Sequence, residues 1–110
     1  MTKLQDFRRL QTLSQLMLDH RLSELKRAAD AKRHSELAIA NLSQVLPEIT
    51  GLTGAAAGIA ALNYQRWADQ RRAALNQTLA LQTHDWLEAR DAARTALGKS
   101  EALSKIADKM

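Results

Sequence analysis

Residues 49–62, ITGLTGAAAGIAAL, carry no charge in a chain otherwise dense with Arg, Lys, Asp and Glu. Three readings compete for this stretch: a bilayer span, a phosphate-binding glycine loop, and a bend between two helices. A spanning helix needs about 20 predominantly apolar residues. The uncharged run ends at Gln65 and takes in Thr50, Thr53, Asn63 and Tyr64, so it is too short and too polar. A Walker-type loop needs Lys followed by Ser or Thr directly after its last glycine, to reach phosphate and magnesium. Gly51, Gly54 and Gly58 have no such Lys. What remains is a connector. Pro47 disfavours helical geometry at Leu46, Gly51 and Gly54 supply turn conformations, and Thr53 is placed to cap the next helix. The alanines after Gly54, with Gly58, are small enough for two helices to approach at the bend.

Composition agrees with that architecture. The 110 residues include one Pro, four Gly, no Cys and only 4% aromatic residues, which suits one small all-α domain. A core made of Leu, Ala, Met and Ile fills a narrow seam between helices better than the interior of a thick globule. Lack of cysteine excludes disulfides and thiol-ligated zinc and is compatible with a reducing cytoplasm, the expected location. The opening MTKLQDFRRLQTL mixes charges among its apolar residues, unlike a secretory signal.

A formal net charge of +4 invites a nucleic-acid reading. The basic residues, however, alternate with acids: Lys26 and Arg27 lie between Glu24 and Asp30, and Lys32 and Arg33 between Asp30 and Glu36. Acid precedes base by three residues at Glu24/Arg27, Asp30/Arg33, Asp69/Arg72 and Asp91/Arg94, the pattern of a solvated helix face. A phosphate-tracking stripe would gather one sign on one side. Nucleic acid is therefore disfavoured as the partner.

The chain reads as two long helices. Thr2 and Gln5 fit a capping box that starts the first. Leu4, Phe7, Leu10, Leu13 and Met17 then recur at spacings of three and four, with Leu18, Leu22, Leu25 and Ala29 in a neighbouring column. With no Gly or Pro before Pro47, the first helix is expected over about 3–46, roughly 65 Å at 1.5 Å per residue. In the second half Leu75, Leu79, Gln82, Trp86, Ala89 and Ala93 alternate steps of four and three, and the rhythm continues through Ala96, Ser100 and Leu103 to Ala107. This is a heptad seam. The expectation is an antiparallel two-helix coiled-coil hairpin: helix about 3–46, bend about 47–54, helix about 55–108. A fold-back centred on residues 49–53 sets Trp86 near Leu16 or Met17, and Trp67 near Ser35.

Catalysis finds little support in these residues. His20/Glu24 and His84/Glu88 are each one helical turn apart, but two ligands on one exposed turn make a weak metal site. HExxH is absent, as is any arrangement for activating a Ser. The expectation is a non-enzyme without cofactor or metal. Two tryptophans stand out instead. Trp86 lies on the seam and reads as packed, whereas Tyr64, Trp67 and Arg71 form a one-sided aromatic and basic strip, suited to a protein partner.

Two long helices of this kind, the second carrying YQRWADQRRAAL and WLEARDAARTALGKSEALSKIADK, resemble the FliJ/YscO family of flagellar and type III secretion export stalks. Trp86, Arg90, Arg94, Gly98, Ala102, Leu103 and Ile106 carry the closest fit. The resemblance implies a bacterial chaperone-like shaft. It also implies an antiparallel coiled coil similar to a rotary ATPase gamma subunit, coupling a ring-shaped export ATPase to the membrane export gate.

Two further expectations concern surfaces. Leu10, Leu13, Leu16, Met17 and Leu18 cover more of the first helix than one seam needs. The surplus is expected to pack on a second copy, as a dimeric four-helix bundle, or on a different protein. At the other terminus, a fold-back near residue 51 exhausts the first helix at about residue 100. Leu103, Ile106 and Met110 would then project as an apolar docking end bordered by Lys99, Lys105 and Lys109.

Overall fold

The computed structural model describes residues 2–42 and 54–109. Helix α1 spans Lys3–Leu42 and helix α2 spans Gly54–Lys109. The fold is an all-α helical hairpin. Tertiary contacts divide it into two units, one made of Met1–Ala29 with His84–Met110 and the other of Asp30–Thr83. Within each unit a segment of α1 runs antiparallel to a segment of α2. Pro47, Gly51, Thr53 and the expected helix end at Leu46 lie outside the described residues. Gly54, the last residue of the expected bend, is the first residue of α2 and has φ 71°, a left-handed conformation that glycine adopts without strain.

Local chemistry explains where α1 starts. The Thr2 carbonyl accepts from the Gln5 amide at 3.1 Å and from the Asp6 amide at 3.3 Å, while the Thr2 hydroxyl accepts from the Gln5 amide at 3.3 Å. Donors of the first turn, which have no partner inside the helix, are thereby satisfied. Asp6 adds a negative charge where the helix dipole favours one.

Burial along α2 tracks the seam expected from sequence. Each residue of the run from Leu75 to Ala107 is buried or half-buried, with Leu75, Ala93 and Ala96 the most enclosed. Toward the start of α2 the buried line continues through Tyr64, Ala68 and Arg72 to Leu75, in steps of four, four and three. Such an eleven-residue interval locally relaxes the left-handed supercoil that strict heptads impose.

The face used by α1 differs from the expected one. Leu4, Leu10, Leu13 and Met17 are 46%, 50%, 60% and 46% exposed. The buried line runs instead from Phe7 through Gln11, Ser14, Leu18, Arg21 and Leu25, and on through Ala28, Lys32, Ser35 and Ile39 to Leu42, alternating four and three without a break. Arg21, Lys32 and Ser35 occupy this seam with their polar ends paired. The Arg21 guanidinium reaches Glu24 at 3.1 Å and the Lys32 ammonium reaches Glu36 at 2.7 Å, leaving their aliphatic stems to cover the seam. Ser35, only 3% exposed, donates its hydroxyl to the Gln82 side-chain carbonyl at 2.5 Å. Leu18 and Leu42, each 7% exposed, supply apolar burial worth roughly 1.5–3 kcal/mol apiece.

Register also departs from the expectation. Ser35 lies against Gln82 rather than Trp67, and Met17 shares a groove with Ala92 and Lys99 rather than with Trp86. Near the start of α2 the half-buried line already takes in Ala57 and Ala60, which lead to Tyr64 in steps of three and four. The first hydrogen bond from α2 to described α1 residues comes from the Tyr64 hydroxyl, which donates to the Leu42 carbonyl at 3.4 Å. Ahead of it, Ile59 and Leu62 are 61% and 53% exposed. A Cβ placed on Gly58 would meet nothing within 4 Å among the described residues.

Two substitutions test the packing with opposite signs. Gly98 sits inside α2 with open space around its missing side chain, so Gly98→Ala should stabilise the fold by about 1 kcal/mol. Ala68 is 2% exposed, so Ala68→Leu should overpack the seam and destabilise it by about 1–3 kcal/mol. Urea unfolding monitored by circular dichroism reads both, and equal effects of the two would contradict the buried line.

Candidate functional site

Two surfaces have the chemistry of recognition sites, one in each unit. In the Asp30–Thr83 unit, Tyr64 and Trp67 are three residues apart on α2 and therefore neighbours on its surface. Their rings lie 5.7 Å apart, tilted by 43°. Tyr64 is half-buried and tied through its hydroxyl to the end of α1, whereas Trp67 is 53% exposed. A large ring is thus held against a fixed neighbour with half its surface open to solvent. Arg71, one turn further along, is exposed. The structure therefore gathers Tyr64, Trp67 and Arg71 on one stretch of helix, as their spacing implied.

In the other unit, the displaced apolar column of α1 creates a groove. Leu10, Leu13 and Met17 form one wall; Ala92, Ala96, Lys99 and Leu103 of α2 contribute the other, enclosing about 630 Å³ open to solvent. Leu103 is half-buried here, beside Leu10 and Leu13, so α1 still accompanies α2 past residue 100. This corrects the expectation that the hairpin exhausts its partner there. Ile106 is 49% exposed, and Met110 lies outside the described residues. A second groove adjoins the first, lined by Arg21, Glu24 and Ala28 of α1 and by Asp85, Glu88, Ala89 and Ala92 of α2. The width of the apolar surface on α1 implies a surplus at Leu10, Leu13 and Met17, but not the α2 residues that complete the first groove. One signal points to it: past Met17 the same column continues with His20 and Glu24, so its apolar character stops while the true seam continues.

The remaining candidates stay apart. His20 contacts Glu24 at 2.9 Å and His84 contacts Glu88 at 3.1 Å, each within a single exposed helical turn. Among the described residues no group of three His, Asp or Glu side chains is placed to hold a metal ion. Trp86 is half-buried with the Arg90 guanidinium 5.4 Å from its ring centre, a cation–π arrangement on the seam's edge. Asp69 and Arg72 form the expected ion pair at 3.3 Å, while Glu24 takes Arg21 and His20. No described helix is long and apolar enough to cross a membrane. No protein-family model, curated protein or solved structure matches the chain.

The contrast between the tryptophans is directly measurable. A Trp86→Phe variant, whose fluorescence comes from Trp67 alone, should emit near the solvent-exposed limit and be quenched readily by acrylamide. A Trp67→Phe variant should emit further to the blue and resist quenching more. Equal quenching of the two would contradict the exposed setting of Trp67.

Proposed function

We propose that this chain is a non-catalytic helical adaptor that acts by docking protein partners. We further propose that it works in the cytoplasm as a stalk of a flagellar or type III secretion export apparatus, coupling a ring-shaped export ATPase to the export gate. The observation that supports the adaptor role most strongly is Trp67. A half-exposed indole held by Tyr64, itself anchored to the end of α1, loses little freedom on binding and offers a large contact area. The export form rests on the similarity of the second helix to FliJ/YscO stalks and on the hairpin architecture that family implies.

Charge distribution favours a protein partner over nucleic acid. Arg21, Lys32 and Arg72 each lie in contact with an acid on their own helix, so they form no bare cationic stripe. Binding to a polyanion would also fall steeply with salt through counterion release; binding centred on Trp67 should change far less.

Titration against the purified hexameric export ATPase of the same organism tests this reading. The intact chain should bind at moderate salt, and Trp67→Ala should weaken binding at least tenfold, about 1.4 kcal/mol, with the helical circular dichroism spectrum unchanged. Absence of binding would reject the export form, and binding indifferent to Trp67→Ala would reject the aromatic strip as the site.

A further inference from the structure

The two adjoining grooves of the Met1–Ala29 and His84–Met110 unit share Ala92 and Arg21 and have opposite character. One is apolar, walled by Leu10, Leu13 and Met17 and edged by Lys99. The other is floored by Ala28, Ala89 and Ala92 and edged by Asp85, Glu88 and Glu24. Asp85, Ala92 and Lys99 are spaced by seven residues, so they share one face of α2, with the two charges about 10.5 Å to either side of the alanine. Asp85 and Lys99 are both exposed, and neither has an ion-pair partner among the described residues.

We propose that a second copy of this chain covers this face, related by a two-fold axis crossing α2 at Ala92, so that Lys99 of each copy lies beside Asp85 of the other. The charge order selects this occupant. An acidic helix would satisfy Lys99 but meet Asp85 and Glu88, and a basic helix would do the reverse. The face needs a partner whose charges run in the opposite order, which is this same face turned end to end, an isologous contact. A two-fold axis centred on the apolar groove instead would bring the two Lys99 ammoniums together. With the axis at Ala92, Met17 of each copy enters the alanine-floored groove of the other, as a knob enters a hole. Arg21, near the axis, carries its own counter-ion in Glu24 at 3.1 Å, and Glu88 is engaged by His84 at 3.1 Å. Asp85 and Lys99, which have no such contact among the described residues, are the two opposite charges that the symmetry pairs. The inference stands independently of the export reading.

Sedimentation equilibrium of the full chain tests it. The wild type should dimerise; Lys99→Asp and Asp85→Lys should each weaken the dimer at least tenfold, since each creates two like-charge contacts. The double swap, Lys99→Asp with Asp85→Lys, should restore affinity to near the wild-type value. Both positions are exposed, so circular dichroism should show all variants equally helical. A wild-type chain that stays monomeric at about 1 mM, a dimer indifferent to either reversal, or a double swap as weak as the single variants would each overturn the proposal.

Discussion

A hydroxyl shut away from water must find a partner or cost the fold its full desolvation penalty, and Ser35 finds its partner on the other helix. With 3% of its surface exposed, it donates to Gln82 across the seam. The net contribution of such a bond is only about 1 kcal/mol, but the penalty for breaking it is larger, because the buried Ser35 hydroxyl would stay enclosed and unpaired. That asymmetry sets register. A seam rich in alanine and short of large apolar knobs discriminates weakly between alignments one heptad apart, since each alanine resembles the next. Sliding α1 against α2 within this unit would leave Ser35 unsatisfied, and a single polar pair at a seam position is enough to fix alignment.

In the unit of Met1–Ala29 and His84–Met110, the face that α1 turns to α2 decides which apolar residues stay outside. Once Phe7, Leu18 and Leu25 are committed to the seam, Leu10, Leu13 and Met17 necessarily fall to one side. They are exposed because α1 spends its richest apolar column on a surface and builds its seam partly from Gln11, Ser14, Arg21 and Lys32. Such an allocation is costly for an isolated hairpin and reasonable for one that completes itself against another molecule. Trp67 in the other unit has the same character: it is braced by Tyr64 yet left open.

Much of this is legible in the sequence, and the rest is hidden for identifiable reasons. The α2 seam can be read directly because its heptad spacing is unbroken from Leu75 to Ala107 and no rival column competes with it. On α1 two columns compete, and hydrophobicity favours the wrong one: Leu10, Leu13 and Met17 outrank Gln11, Ser14 and Arg21 on any apolar scale. Only the partner's small residues and the ion pairs at Arg21 and Lys32 make the polar column the buried one, and those depend on tertiary contacts. Register is obscured for a related reason. The position of the bend sets only an approximate pairing, whereas the contact that fixes it, Ser35 with Gln82, depends on how the helices pack. The aromatic strip, in contrast, needs only helical spacing, and Tyr64, Trp67 and Arg71 sit together as that spacing requires. The grooves beside the seam cannot be anticipated without the register that creates them.

The central claim, that a buried polar pair sets the alignment of the two helices, is tested most directly by nuclear Overhauser contacts in the isotope-labelled chain. The account predicts cross-peaks from the Ser35 β protons to the Gln82 side chain and none from Ser35 to the Trp67 indole. Cross-peaks between Ser35 and Trp67, with Gln82 silent, would mean that the helices pair directly from the bend, and would contradict it.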